Sequence, residues 1–186
     1  MKKVLSLLQF LILCLWKNYL VGFYNSKYYS SIMNQEIKVQ IYNVQEIERR
    51  LLQDGAQIID QTYFIDTYFR QPKGKVLKIV EKKRGAFINI FQAVDGKFEV
   101  IKDEPIDNIE KLKKELIIQY GIKRIMKGSR KFFQFKNYQI IFNLIDNVGN
   151  FIIVTGESPS KEFVEKELGI EKPEYITVSF DEVRSR

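Results

Sequence analysis

Apolar and polar residues alternate from position 36 to position 41, which is the first regular pattern in the body of the chain. A period of two is typical of a half-buried β-strand, so we predict a strand here. The spacing then becomes helical, with Asn43 and Glu46 placed as in a capping box and Gly55 at the end. The pattern therefore predicts a strand that leads directly into a short helix.

Short extended segments separated by turn residues follow this helix. We predict strands at 57–64, 66–70, 76–82, 86–92 and 97–102, with turns at Pro72-Lys73-Gly74, Lys83-Arg84-Gly85 and Asp95-Gly96. Turns this short join antiparallel neighbours, because parallel strands need a long crossover connection. This part of the chain is therefore expected to form a mostly antiparallel sheet.

The second half of the chain repeats the order of the first. Asp107 and Glu110 again have the capping-box spacing, and Gly121 ends the helix that they begin. Further elements are predicted after it: strands at 123–126, 131–136, 138–144 and 151–155, a short helix from Ser158 to Gly169, and a last strand at 175–180. The repeated order predicts an α+β fold with pseudo-duplicated strand–helix–strand halves and flanking helices.

The number of predicted strands indicates a curved sheet. Eight or more short, mostly antiparallel strands are typical of a barrel or a strongly curved sheet. Several strands carry charge on a single face, as Glu36 and Lys38 do on the first strand and Lys78 and Lys82 do on a later one. Such a face is either an ordinary solvated surface or part of a charged barrel interior, and the pattern leaves both interpretations open.

Composition excludes several kinds of chemistry. The 186-residue chain contains no His, which excludes Ser–His and Cys–His nucleophiles, His general bases and His-ligated zinc. Cys14 is its only cysteine, so an internal disulfide and a cysteine-based metal site are excluded too. The formal net charge is +7, and a basic balance favours an anionic partner.

More than half of this net charge lies in the first 32 residues. That segment has four lysines and no acid, namely Lys2, Lys3, Lys17 and Lys27. The domain at 33–186 keeps 26 of the 30 basic and all 23 acidic side chains, an excess of only three. So small an excess does not indicate a nucleic-acid binder, and no nucleic-acid partner is expected.

Residues 1–32 form a segment separate from the predicted domain at 33–186. Two lysines precede an apolar run from Val4 to Trp16, as in a secretory signal, but the run is too short to cross a bilayer and Lys17 follows at once. The segment is a signal or membrane anchor, a membrane-associated hairpin, or an extension outside the functional domain. If translation starts at Met33, the protein is expected to be cytoplasmic; otherwise it is membrane-associated or exported, with membrane contact only through this segment.

Four local strings occur in order, at fitting spacing, between residues 34 and 183. They are Asn34-Gln35-Glu36-Ile37-Lys38, then Asp66-Thr67-Tyr68-Phe69 with Leu77-Lys78-Ile79-Val80-Glu81, then Tyr120-Gly121-Ile122 with Lys127 and Arg130, and finally Gly149-Asn150-Phe151. They resemble the E-x-E-x-K, D-T-Y-F…L-K-x-R-E, Y-G-V with K-x-x-R, and G-x-F strings of the CYTH family. That family is named for class IV adenylyl cyclase and thiamine triphosphatase.

The resemblance implies a fold, a ligand and a set of site residues. The implied fold is an antiparallel eight-stranded β-barrel, or tunnel, that binds triphosphates together with a divalent metal ion. The implied phosphate-binding cations are Lys38, which is also the one catalytic candidate, Lys78, Lys127 and Arg130. The implied metal-binding carboxylates are Glu36 and Glu81, which form an incomplete metal site.

The sequence departs from the family where the family carries further acids. Those acids are replaced by Asn143, Ile153 and Thr155. Magnesium sites need carboxylate or other oxygen ligands, and two-metal catalysis needs several of them. Because the cations are retained while these acids are missing, the metal site is degenerate and metal-dependent catalysis is expected to be weak or lost.

Three functional hypotheses follow from these features. The leading one is a CYTH-like pseudoenzyme that binds triphosphate, polyphosphate or another phosphate-rich anion in a basic tunnel, without a cofactor. The alternative is an active triphosphate hydrolase or class IV adenylyl cyclase-like enzyme, which would use Mg²⁺ or Mn²⁺. The third is an exported β-barrel module that binds a non-phosphate ligand or partner, which would require residues 1–32 to be a genuine signal.

Overall fold

The structure is a computed structural model that describes residues 35–94 and 97–184. The predictions made for residues 1–32 and for the turn at Asp95-Gly96 lie outside the described residues. In the part of the chain that is described, no helix is both long and apolar enough to cross a membrane.

The elements follow one another as strand, helix, four strands, helix and strands, so the two helices have their predicted places but enclose four strands where five were predicted. The strands are β1 Gln35–Ile41, β2 Gln57–Phe69, β3 Lys75–Lys82, β4 Gly85–Val94, β5 Lys97–Pro105, β6 Ile122–Phe135, β7 Tyr138–Ile145, β8 Gly149–Gly156 and β9 Glu174–Tyr175. The α-helices are α1 Val44–Gln53 and α2 Ile109–Tyr120, and single helical turns lie at Phe163–Glu167 and Phe180–Glu182.

All of these strands belong to one antiparallel sheet with the order β5-β4-β3-β2-β6-β7-β8-β1-β9. The predicted α+β fold with a strongly curved antiparallel sheet is confirmed, since the sheet curls into a half-barrel. The expected closed barrel of eight strands is wrong. The described residues form nine strands, because two residues of β9 pair with Val39 and Gln40 of β1, and the outermost strands β5 and β9 do not pair with each other.

Two pairs of predicted strands are single long strands in the structure. Residues 57–64 and 66–70 fall within or next to β2, and residues 123–126 and 131–136 fall almost wholly within β6. The two strands pair with each other along most of their length, with register irregularities near Ile58 and Tyr68. Such irregularities bend long strands and increase their twist, which favours a curled sheet over a flat one.

Both predicted capping boxes differ from the observed helix starts. Asn43 precedes α1, but its side chain makes no capping hydrogen bond, and the Glu46 carboxylate accepts from two arginines of the same helix. Asn108 caps α2, where its side-chain oxygen accepts from the backbone N–H of Lys111 at 3.0 Å. The prediction that Asp107 caps this helix is therefore wrong by one residue.

The last two predicted elements are much shorter than expected. The predicted helix at 158–169 is a single turn at Phe163–Glu167, and the predicted strand at 175–180 reduces to Glu174–Tyr175. The chain beyond β9 instead lies against the sheet, with Phe180 packed into its apolar interior. Tertiary packing, and not strand pairing, therefore places the C-terminal residues.

The two faces of the sheet are covered differently. One face packs against α1 through Ile47 and Leu51 and against α2 through Leu116, and we call it the helix face. The opposite face, which we call the inner face, carries an apolar cluster around Phe64 and Phe151. It also carries the charged side chains that form the candidate site.

Candidate functional site

Charged side chains from neighbouring strands converge on the inner face. Because side chains alternate along a strand, Asp66 of β2, Lys78 of β3 and Arg130 of β6 all point away from the two helices. Strand β2 lies between β3 and β6 in the sheet. Asp66 is therefore placed between a lysine on one neighbouring strand and an arginine on the other.

Asp66 is the centre of this cluster. Its side chain is 1% exposed, and its Oδ2 accepts hydrogen bonds from Lys78 Nζ at 2.8 Å and Arg130 Nη2 at 2.7 Å. Burial opposes ionisation, but the two cations outweigh it and hold the pKa of Asp66 below its ordinary value. Its Oδ1 is buried and has no hydrogen-bond partner among the described residues. One charged carboxylate thus fixes two cations and retains unused acceptor capacity.

Burial also acts on the lysines of β3. It lowers the pKa of Lys78, and the charge of Asp66 offsets part of that effect. It lowers the pKa of Lys82 as well, and the positive charge of Arg130 adds to the lowering. An anion that enters this site would favour the charged form of both lysines.

Tyr68 completes the polar side of the cluster. Its hydroxyl lies 3.5 Å from Lys78 Nζ. Burial, followed by the charge of Asp66, raises the pKa of Tyr68 well above its ordinary value. The phenol therefore stays neutral and is available as a hydrogen-bond donor in the ordinary pH range.

Arg130 is held at one edge and on one face of its guanidinium group. Its Nε donates to Asn143 Oδ1 at 2.8 Å, and its central carbon lies 3.7 Å from the ring centre of Phe64. Asn143 is 1% exposed and stands directly opposite Arg130 in the β6–β7 register. Because the two contacts leave the guanidinium little freedom, the charge is oriented before any ligand arrives.

Lys38 of β1 contributes a second positive position on the same face. Its Nζ lies 3.1 Å from Glu36 Oε1 and donates to the carbonyl oxygen of Val178 at 3.4 Å. Its side chain is 11% exposed, and Nζ lies 5.6 Å from the ring centre of Phe180. The lysine is therefore positioned by both its own strand and the C-terminal segment.

A cavity of about 100 Å³ lies between these two groups of cations. It is lined by residues of β1, β2, β3, β4, β8 and the C-terminal segment: Glu36, Lys38, Tyr68, Val76, Lys78, Phe91, Ile153, Ser179 and Phe180. Lys38 and Lys78 line the cavity directly, whereas Arg130 lies beside it and shares the Asp66 carboxylate with Lys78. This cavity is the place where a small anion can contact Lys38 and Lys78 together.

Four of the six site residues implied by the resemblance lie on the inner face, namely Glu36, Lys38, Lys78 and Arg130. The other two do not. Glu81 has the opposite orientation on β3 and forms an ion pair with Lys113 of α2 at 2.7 Å. Lys127 is exposed on the helix face of β6, opposite Ile65 in the β2–β6 register. The structure therefore does not bring Glu81 or Lys127 to the other four.

The carboxylates of Glu36 and Asp66 do not fit a divalent metal site. Glu36 Oε1 is paired with Lys38, and Asp66 Oδ2 is shared by two cations. Ile153 and Thr155 stand directly opposite Lys38 and Glu36 on β8, where the resemblance would require acids. Within the described residues, no three His, Cys, Asp or Glu side chains are grouped so as to hold a metal ion.

Several residues of the cluster were not among the predicted site residues. Asp66 and Tyr68 belong to one of the quoted strings, and Ser179-Phe180-Asp181 resembles the C-terminal end of smaller members of the same family, but the resemblance assigns none of these residues a role; Phe91 belongs to no quoted string. Asp is depleted in strands, so an Asp between aromatic residues in a strand is a usable signal for a buried charge. The position of Phe180 depends on tertiary packing and leaves no periodic pattern in the sequence.

The charge balance of the cluster favours an anion. Lys38, Lys78 and Arg130 face the carboxylates of Glu36 and Asp66, an excess of one positive charge. Lys82 extends the positive surface along β3, where the acids that act on it include Asp103. Partly buried cations attract anions more strongly than exposed ones, because water screens them less.

No protein-family model and no curated protein matches the sequence of this chain. Comparison with solved structures does find similar folds. A Pyrococcus horikoshii protein has a TM-score of 0.70 at 16% identity, covering 81% of this chain and 99% of that one.

Two further similar structures carry a functional description. One is a candidate adenylate cyclase from Vibrio parahaemolyticus, with a TM-score of 0.55 at 14% identity, covering 73% of this chain and 82% of that one. The other is a candidate adenylate cyclase from Bacillus halodurans, with a TM-score of 0.51 at 13% identity, covering 75% of this chain and 93% of that one. At such identities the likeness concerns the fold alone. The chain thus has a CYTH-like fold.

Proposed function

We propose that the chain binds a triphosphate, a polyphosphate or another phosphate-rich anion on the inner face of its half-barrel, and that its metal-dependent catalysis is weak or lost. The observation that carries the proposal is the convergence of Lys38, Lys78 and Arg130 on one face of the sheet. Two proteins of similar structure are candidate adenylate cyclases, and an adenylate cyclase acts on a nucleoside triphosphate. This similarity supports a site for a phosphate compound.

The burial and the fixed orientation of Lys78 and Arg130 support anion binding. Lys78 and Arg130 are nearly buried, at 12% and 11% exposure, and share a single carboxylate oxygen. A phosphate oxygen can add a charge-assisted hydrogen bond to each of them without any rearrangement of their backbone. Arg130 is already oriented by Asn143 and Phe64, so little conformational entropy is lost on binding.

The same side chains argue against a metal-dependent reaction. Phosphoryl transfer is catalysed mainly by neutralising charge and positioning the nucleophile, and divalent ions usually supply both. Here the carboxylates are already neutralised by Lys38, Lys78 and Arg130. We therefore propose that the cations bind the phosphate groups directly, with no metal ion in between.

The test is a calorimetric titration of the full chain with sodium tripolyphosphate at low ionic strength, using two lysine variants. Lys38→Met is expected to weaken binding by about tenfold or more, because it removes a charged donor worth about 1.5–3 kcal/mol. Lys127→Met removes the same charge from the helix face and is expected to change the affinity by less than about twofold. No binding, or equal losses in the two variants, would contradict the proposal.

A second assay separates binding from catalysis. The full chain is incubated with tripolyphosphate or a nucleoside triphosphate and Mg²⁺ or Mn²⁺, and phosphate and cyclic nucleotide are measured. We expect no turnover above background. Turnover that is abolished by Lys38→Ala and by Glu36→Ala would instead establish an active triphosphatase or cyclase with a metal site recruited from other residues.

A further inference from the structure

We infer that the anion bound on the inner face is a phosphate ester of a small apolar or aromatic alcohol, whose apolar group contacts Phe91 and Phe180. This inference rests on the proposed function, because it assumes that the cations bind phosphate. It goes further by specifying the part of the ligand that is not phosphate. The observation behind it is the composition of the cavity wall.

Most of the cavity wall is apolar. Of the nine lining residues, only Glu36, Lys38 and Lys78 are charged. Apolar or aromatic surface comes from Tyr68, Val76, Phe91, Ile153 and Phe180. An inorganic phosphate chain would place polar oxygens next to that apolar surface. An apolar group would instead remove the surface from water, which stabilises the complex.

The apolar wall and the cations are close enough to serve one small molecule. Lys78 Nζ lies 5.9 Å from the ring centre of Phe91, and Lys38 Nζ lies 5.6 Å from that of Phe180. Each lysine is therefore close enough to an aromatic ring for one small ligand to contact both, with its phosphate on the lysine and its apolar substituent against the ring. A phosphate bound to the two lysines would therefore place its substituent near these rings.

The size of the cavity limits the part of the ligand that it encloses. The cavity of about 100 Å³ is smaller than the engineered cavity of about 150 Å³ that holds benzene in another protein. It therefore encloses a phosphate and the first atoms of its substituent, and the rest of a substituent such as a phenyl ring would lie at the open side of the cavity.

The test compares two anions of similar charge that differ in their apolar group. Calorimetric titrations of the full chain use phenyl phosphate and inorganic phosphate at low ionic strength, with phenol as an uncharged control. We expect phenyl phosphate to bind at least about tenfold more tightly than inorganic phosphate, a difference of about 1.4 kcal/mol. We expect no measurable binding of phenol, because it lacks the group that the lysines bind.

Two matched variants locate the apolar contact. Phe91→Ala is expected to reduce the ratio of the two affinities to less than about threefold, because it removes a ring that lines the cavity. Phe87→Ala removes a ring from the same face of the same strand, but Phe87 does not line the cavity, so the ratio should persist. A circular-dichroism melt of each variant shows that it is folded before it is titrated, and Phe91→Leu replaces Phe91→Ala if that variant is unfolded.

The possible outcomes distinguish a failure of this inference from a failure of the proposed function. Equal affinities for phenyl phosphate and inorganic phosphate would overturn the inference and leave the proposed phosphate site standing. Binding of phenol as tight as that of phenyl phosphate, or a ratio unchanged by loss of the Phe91 ring, would also overturn it. If inorganic phosphate, tripolyphosphate and phenyl phosphate all fail to bind, the proposed function fails first and the inference with it.

Discussion

Replacing Asp66 with Asn removes the carboxylate that joins two strands to β2 on the inner face. The Oδ2 atom accepts from Lys78 at 2.8 Å and from Arg130 at 2.7 Å, and the side chain is 1% exposed. The Asn side chain fills the same space but carries no charge, so two nearly buried cations lose their common counter-ion. Breaking a buried ion pair in this way costs about 3–5 kcal/mol in the free energy of unfolding.

Glu81→Gln is the matched control for this variant. Glu81 also accepts from a lysine, Lys113 Nζ, at 2.7 Å, but their side chains are 28% and 26% exposed on the helix face. Solvent screens this pair, so its loss should cost no more than about 1 kcal/mol. The two variants thus remove the same kind of contact and differ in its burial.

The assay is urea unfolding at neutral pH, followed by circular dichroism, with the free energy taken from the midpoint at a common slope. If Asp66→Asn does not fold, Asp66→Asn combined with Lys78→Met removes one of the two uncompensated cations and should restore a cooperative transition. An Asp66→Asn variant no less stable than Glu81→Gln would refute the view that Asp66 organises the cations of the inner face.

Three further predictions concern pH and packing. The ordinary pKa of Asp66 is 3.8, and below that pH the unfolded chain binds a proton at Asp66 before the folded chain does, so the free energy of unfolding should fall as pH falls. Urea unfolding at several pH values should show that the free energy of unfolding of Asp66→Asn depends less steeply on pH, by up to about 1.4 kcal/mol per pH unit. A Cβ at Gly128 would overlap a backbone carbonyl of β7, so Gly128→Ala should lower the free energy of unfolding by about 3 kcal/mol or prevent folding, as a melt or urea curve will show. Ile79 is fully buried under α2 and Ile118 is 87% exposed, so calorimetric melts should give a loss of about 2–5 kcal/mol for Ile79→Ala and less than about 0.5 kcal/mol for Ile118→Ala.

The fold could be predicted where one face of a strand is polar. Strand β1 shows the expected alternation, and its predicted bounds lie within one residue of the observed ones. Strand β2 was divided into two, because Phe64 and Asp66 are buried on the inner face while Thr67 and Phe69 are buried on the helix face. A strand buried on both faces loses the period of two.

The candidate site was only partly predictable, and the reason lies in strand geometry. Lys78 and Glu81 are three residues apart on one strand, as are Lys127 and Arg130. Residues separated by an odd number in a regular strand point to opposite faces, so only one member of each pair can lie on the inner face. The resemblance supplied all four residues without this restriction.

The closure of the sheet and the cavity wall depend on contacts distant in sequence. Phe180 packs on Phe151 with ring centres 5.0 Å apart, and Val178 accepts from Lys38, which is 140 residues away. No local pattern marks these residues, since their position is set by the shape of the curled sheet. Asp66 was overlooked for a related reason, because its partners come from two other strands.

The most direct test of the central claim is whether phosphate binding needs a metal ion. The full chain is titrated with tripolyphosphate in the calorimeter, once with EDTA and once with Mg²⁺, at the same low ionic strength. Because Lys38, Lys78 and Arg130 are proposed to contact the phosphates directly, we expect binding in EDTA, with an affinity that Mg²⁺ does not increase. Binding that appears only with Mg²⁺ would contradict the account.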